Sequence, residues 1–153
     1  MVRKKDNGWK MCVDYRRLNS VTKFDCFPLP RLEENRDEFA GATVFSNLDF
    51  AMAYHQMFVK PSDVETTAFI TNVGLYVMQK MPFGFCNAPS TYQRLMAGVL
   101  QALIGRICLE YLDDVIIVSI KRKEHAGDLR SVFDRIRTVR LKLKPSKCSL
   151  FCD

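Results

Sequence analysis

One stretch constrains this chain more than any other: Arg106-Ile-Cys-Leu-Glu-Tyr-Leu-Asp-Asp-Val-Ile-Ile-Val-Ser119. Val115 to Val118 is an unbroken β-branched run, the pattern of a buried strand. Ile107 to Leu109 reads as a second strand. Tyr111-Leu-Asp-Asp114 then forms the bend of a β-hairpin, with two adjacent carboxylates between strands that favour burial. Such carboxylates repel each other and lose hydration unless a cation holds them. Hard divalent cations such as Mg²⁺ take oxygen ligands of this kind. A polar turn that merely contains two Asp accounts for the tetrad equally well, and both readings stand at this point.

The remaining pattern predicts what surrounds this hairpin. Asn7-Gly8 is a type I′ turn signal. It predicts a ribbon whose arms carry Arg3, Lys4, Lys5 and Lys10, with Arg16 and Arg17 just beyond. A basic ribbon suits phosphate contact; an edge hairpin guarded by lysines reads the same way. Trp9 either packs on the opposite arm or stacks on a base. Phe27-Pro-Leu-Pro30 is an extended connection, and Arg31 to Phe39 a short helix ended by Gly41. Thr43 to Asp49 reads as a strand, with Phe50 to Tyr54 beginning a helical turn. Asp49 at that junction suits a metal bridged to a phosphate, and suits an N-cap as well.

Further on, His55 to Lys60 reads as a strand. Thr66–Thr71 and Leu75–Met81 form a hairpin around Asn72-Val-Gly74. Pro82 to Pro89 is a loop, with Pro89 opening a helix. That helix runs through Tyr92, Leu95, Met96, Val99, Leu100 and Leu103, and Gly105 stops it. A last helix carries the stripe Leu129, Val132, Phe133, Ile136 and Val139. A basic turn, Lys142 to Lys147, and a short strand, Cys148 to Phe151, follow. Hairpins packed against helices define an α+β class.

Composition narrows the partners. The 153 residues carry a net charge of +6, with 48% hydrophobic and 26% charged residues, which describes a globular chain that favours a polyanion. No apolar run approaches a membrane span. Met1-Val-Arg-Lys-Lys-Asp has no apolar core behind its charges, unlike a secretory signal. The six cysteines, Cys12, Cys26, Cys86, Cys108, Cys148 and Cys152, form no C-x-x-C pair. They read as reduced core thiols of an intracellular protein rather than zinc ligands.

Asp49, Asp113 and Asp114 thus form a candidate two-metal set for nucleotidyl transfer. The matching blocks extend along the chain: Val2-Arg-Lys-Lys-Asp6, Trp9-Lys-Met-Cys-Val-Asp-Tyr-Arg-Arg-Leu-Asn19, Phe27-Pro-Leu-Pro-Arg31, Phe45-Ser-Asn-Leu-Asp49, Tyr54-His-Gln56, Thr67-Ala-Phe69, Met81-Pro-Phe-Gly84, Asn87-Ala-Pro89, Tyr111-Leu-Asp-Asp114 and Ser146-Lys-Cys148. This ordered set resembles the reverse transcriptase domain of gypsy-like long-terminal-repeat retrotransposons, and more distantly that of retroviral Pol polyproteins.

The resemblance implies RNA-directed DNA polymerase activity and a right-hand fold. Fingers would lie at about 1–22 and 57–84, and palm at about 23–56 and 85–153. Asp49, Asp113 and Asp114 match the catalytic metal ligands of two Mg²⁺ (Mn²⁺ as a substitute), with the backbone of Phe50 beside them. Lys4, Lys10, Ala51, Met52, Ala53, Tyr54, Phe83 and Gly84 match the deoxynucleotide pocket, Tyr54 as the ring that would clash with a 2′-hydroxyl. Tyr111, Leu112, Pro89 and Arg16 match primer and template contacts. Implied partners are an RNA or DNA template with its primer, dNTPs, and the thumb, connection and RNase H domains of the polyprotein, with no membrane. The implied location is the cytoplasm, in a virus-like particle, or the nucleus. Lys10 stands where many relatives have Arg, which removes a planar fork from the phosphate contact. The Phe50-Ala-Met-Ala53 segment is more apolar than usual. An inactive or domesticated remnant that only binds nucleic acid is the alternative reading.

Overall fold

The computed structural model describes residues 2–3, 7–28, 41–111 and 114–152, with backbone only for Val2 and Lys10. Lys4, the helix expected at Arg31 to Phe39, Leu112 and Asp113 lie outside the described residues. In chain order the elements are β1 (Val2–Arg3), β2 (Trp9–Lys10), α1 (Arg16–Val21), β3 (Val44–Asp49), β4 (Phe69–Thr71), β5 (Gly74–Tyr76), α2 (Ala88–Val99), β6 (Cys108–Tyr111), β7 (Asp114–Ser119), α3 (Arg122–Thr138) and β8 (Ser149–Cys152). Tight 3₁₀ turns occupy Ala53–Gln56, Pro61–Thr67 and Pro145–Lys147. The expected α+β class is what forms.

The chain divides into two compact units, Met1–Cys26 with Tyr54–Pro89, and Phe27–Ala53 with Ser90–Asp153. The second is built on an antiparallel sheet in the order β6-β7-β3-β8. Period-2 alternation gives its strands two faces. Val44, Ser46 and Leu48 of β3 are buried, as are their register partners Ser119, Ile117 and Val115 of β7. The stripe on α3 that meets this face is His125, Leu129, Val132 and Ile136, at helical spacing and nearly inaccessible. Each such aliphatic side chain contributes about 1.5–3 kcal/mol by leaving water. Val139, expected to extend the stripe, follows the helix end and is 40% exposed.

The first unit holds two short hairpins, β1-β2 and β4-β5. Tyr15 anchors it: the ring meets Phe85 edge-on at 4.5 Å, and the hydroxyl donates to the Thr67 carbonyl at 3.1 Å. Among the described residues no helix is long and apolar enough to cross a membrane.

Local chemistry overrides several expectations. Val2 pairs with Lys10 and Arg3 with Trp9, so the ladder does not close on Asn7-Gly8 alone. Asn7, at φ 61°, therefore serves a longer connection than a two-residue type I′ turn. His55 to Lys60 is not a strand. Met57 N–H bonds back to the Tyr54 carbonyl at 3.1 Å, closing a 3₁₀ turn, and Phe58 makes only an isolated bridge to Lys80. The β4-β5 ladder is shorter than expected, because Thr66 and Thr67 belong to the preceding 3₁₀ turn. Regular α2 stops at Val99 rather than Ile104. Leu103 N–H turns to the Leu100 carbonyl at 2.7 Å, tightening the end toward Gly105 at φ 78°. The polar six-residue α1 buries nothing and carries no apolar period, so its pattern was silent. All six cysteines are free, but only Cys108 is buried. Cys12 and Cys26 lie in irregular connections and Cys152 on an edge strand, where apolar neighbours in sequence do not bring burial.

Candidate functional site

Asp49 ends β3, Asp114 begins β7, and the two are direct antiparallel partners. Opposed residues project to one face with Cβ atoms about 4.5–5.5 Å apart, so the two carboxylates share a face. Tyr111, the last residue of β6, is the partner of Asp114 on its other side and is 39% exposed. Residues 112 and 113 thus connect two strands already in register, as the opening stretch predicts. Among the described residues no three His, Cys, Asp or Glu side chains form a cluster; Asp113 stands outside them.

Two further side chains complete this face, and site reasoning from sequence passed over both. Lys147 Nζ lies 2.9 Å from Asp49 Oδ2. Asn47, two residues before Asp49, donates from Nδ2 to Asp114 Oδ1 over a long 3.5 Å. Its Oδ1 is buried with no partner among the described residues. The Pro145-Ser-Lys147 turn was legible as a basic turn; its docking on a strand 98 positions away was not. Backbone bonds fix that docking. Lys144 N–H donates to the Asp49 carbonyl at 2.8 Å, Ala51 N–H to the Lys142 carbonyl at 3.0 Å, and Phe50 bridges Leu143. The Ala51 amide, expected to meet a triphosphate, is thus already bonded. Met52 follows at φ 49°, a left-handed conformation that is strained for a side chain with Cβ.

The opposite face of the same strand end is also acidic. Glu110 pairs with Val115 and is 2% exposed, and neither carboxylate oxygen has a hydrogen-bond partner among the described residues. Burial pushes its pKa up to about 8. Burial, then the Glu110 charge, pushes the Cys108 thiol up to about 12.

In the first unit, Tyr54 and Phe83 come together, their rings edge-on at 5.4 Å, and His55 meets Phe83 at 4.8 Å. Gly84 sits at φ 99°, where a Cβ would be strained, and its carbonyl accepts from Asn19 Nδ2 at 2.7 Å. Asn19 Oδ1 accepts from Cys86 N–H at 3.0 Å, so one amide clamps the loop after Phe83. Arg16 directs its guanidinium to Asp14 at 2.6 Å. Hydrogen bonds to Arg16 hold the Asp14 carboxyl down at about 2. Pro89 is the second residue of α2 and is half-buried, and Lys10 pairs through its backbone with Val2.

A family model described as "Reverse transcriptase (RNA-dependent DNA polymerase)" matches residues 2–153. The chain belongs to the reverse transcriptase family. It is 37% identical over 142 residues to the retrovirus-related Pol polyprotein from transposon 297 of Drosophila melanogaster, covering 93% of this chain and 13% of the relative. It is 33% identical over 142 residues to that from transposon gypsy of the same species, covering 93% and 14%. The transposon Tf2-3 polyprotein of Schizosaccharomyces pombe is 31% identical over 147 residues, covering 96% and 11%. The chain thus spans about an eighth of the length of these relatives. The foamy viral protease-reverse transcriptase solved with an RNA/DNA hybrid shares the fold at TM-score 0.86 and 21% identity, covering 97% of this chain and 20% of that one. The form solved with double-stranded DNA gives 0.89 and 21%, covering 99% and 26%. The reverse transcriptase fold is therefore that of this chain.

The donor set on the Asp49–Asp114 face fits a hard divalent cation. Its possible ligands are oxygens, from two opposed carboxylates and the Asn47 amide oxygen, which has no partner among the described residues.

Proposed function

We propose that this chain carries the polymerising centre of an RNA-directed DNA polymerase, part of a retrotransposon Pol polyprotein. The observation that carries the proposal is the register pairing of Asp49 with Asp114 at the base of the hairpin that bears Asp113. Bound Mg²⁺ or Mn²⁺ would favour the primer 3′-alkoxide and neutralise charge on the leaving pyrophosphate. Asp49, Asp113 and Asp114 would hold it, with the Phe50 backbone beside them. Tyr111 and Leu112 would border the primer end, and Pro89 and Arg16 would contact primer and template. Tyr54, with Phe83 against its ring, would exclude a 2′-hydroxyl and so select deoxynucleotides. Lys4 and Lys10 would meet the triphosphate, with Ala51, Met52, Ala53 and Gly84 lining the pocket. The two compact units are read as fingers and palm. The rest of the polyprotein would supply thumb, connection and RNase H.

Primer extension on a polyribonucleotide template with Mg²⁺ or Mn²⁺ tests this. The chain extends the primer, and Asp113→Asn does not. Equal signal from both, or none from either, contradicts the catalytic reading. Template binding without extension by the unaltered chain would favour the binding-module alternative.

A further inference from the structure

The carboxylate pair on the palm sheet is not left bare. Asp49 and Asp114 are opposed, and like charges directly across a ladder are destabilising. Lys147 places its ammonium 2.9 Å from Asp49 Oδ2. An ion pair between flexible surface side chains contributes little, but this one is not of that kind. The Asp49 side chain is 19% exposed, against 57% for Lys147. The segment that delivers Lys147 is tied to the strand end by the Lys144–Asp49 and Ala51–Lys142 backbone bonds, and Pro145 stiffens its 3₁₀ turn. The ammonium therefore covers an oxygen that a cation would need.

We propose that Lys147 is the built-in counter-ion of the carboxylate pair, and that a divalent cation binds by displacing its ammonium from Asp49. This rests on the reading of Asp49 and Asp114 as metal ligands. The proposal makes the side chain a competitor of the metal rather than a ligand or a proton donor. It also fixes a direction: removing the ammonium strengthens metal binding while leaving every ligand oxygen in place.

Calorimetric titration of Mn²⁺ into the metal-free chain at pH 7 and constant ionic strength tests it, without any activity readout. Lys147→Met binds Mn²⁺ about threefold to tenfold more tightly than the unaltered chain, the scale set by a partly exposed ion pair. Lys147→Arg, which keeps the charge, shows no such gain. Circular dichroism confirms that the variants fold. If Lys147→Met misfolds, Lys147→Gln, which keeps the polar chain end, takes its place with the same expected tightening. Mn²⁺ binding of equal or lower affinity in the charge-removing variant overturns the counter-ion role alone. No binding by any of the proteins overturns the metal-ligand reading and this inference with it.

Discussion

The two ends of the β3–β7 ladder treat polar groups in opposite ways. At one end, Ser46, Ser119 and His125 are buried, yet every bond finds its complement. Ser119 Oγ donates its single proton to Asp128 Oδ2 at 2.6 Å, so it accepts from His125 Nδ1 at 2.8 Å. Phe151 N–H donates to Ser46 Oγ at 3.0 Å, and Ser46 donates to His125 Nε2 at 2.6 Å. A neutral imidazole protonated on Nδ1 satisfies this chain of bonds, with Nε2 accepting from Ser46. Burial lowers the His125 pKa in the same sense, opposed by the Asp128 charge. At the other end, Asp49 faces Asp114, Asn47 Oδ1 has no partner among the described residues, and neither does Glu110. One end spends its polar groups on holding α3 against the sheet. The other leaves Asn47 Oδ1 and Glu110 unsatisfied among the described residues and covers Asp49 with the Lys147 ammonium, the condition of a site that waits for a ligand.

Substitutions at the two ends should therefore fail differently. The largest effect is on chemistry: Asp49→Asn lowers primer extension about a thousandfold, the scale of several kcal/mol of transition-state stabilisation. Its urea midpoint changes little, because relief of repulsion offsets the lost Lys147 pair. A large loss of stability would place Asp49 with the structural end.

Glu110 comes next. Its folded pKa of about 8 stands above the ordinary 4.5. The folded state keeps a proton that the unfolded chain has lost, so stability falls as pH rises from about 4.5 through 8. Glu110→Gln removes that dependence and raises stability at pH 8 by about 3 kcal/mol, measured by urea denaturation at several pH values. A flat profile in the unaltered chain would show that the acid has found a partner.

His125→Leu leaves the buried Ser46 proton without an acceptor, removes the donor to Ser119, and lowers stability by about 2 kcal/mol. Here the sign of the pH effect reverses. With the folded pKa below 6.5, the unfolded chain takes up the proton first. His125 thus supports folding above pH 6.5, and that contribution is lost as pH falls below it. The variant loses this acid sensitivity. The smallest effect is at Met52, whose left-handed backbone belongs to the acidic end. Met52→Gly gains about 0.5–1 kcal/mol in thermal unfolding, as strain relief exceeds the entropy cost of glycine.

The same contrast explains what could be read in the sequence. The β-branched run Val115 to Val118, the block ending in Asp49 and the stripe on α3 each carry their own period, and all three form where expected but for Val139 past the end of α3. The hairpin bend follows, since two buried strands so close in sequence can hardly do anything else. What stayed hidden depends on distant partners. Lys147 reaches Asp49 only because the chain end returns as β8 beside β3. His125 stands outside the expected stripe, and its place under the sheet depends on Ser46 and Ser119, which reach it from two strands. His55–Lys60 and Thr66–Thr71 in the first unit have strand-like patterns, yet local 3₁₀ bonds such as Met57 to Tyr54 replace the first strand and shorten the second. Short segments with few neighbours are decided by such local bonds rather than by period.

The central claim is that the Asp49–Asp114 end exists to take a divalent cation. It is tested most directly by the urea midpoint of the metal-free chain with and without saturating Mn²⁺, beside Asp49→Asn. A ligand held only by the folded state stabilises it by about 2.7 kcal/mol at a hundred times its Kd. A cation site at this end gives a shift of that order in the unaltered chain and none in Asp49→Asn; equal shifts in the two proteins, or no shift in the unaltered chain, would contradict such a site.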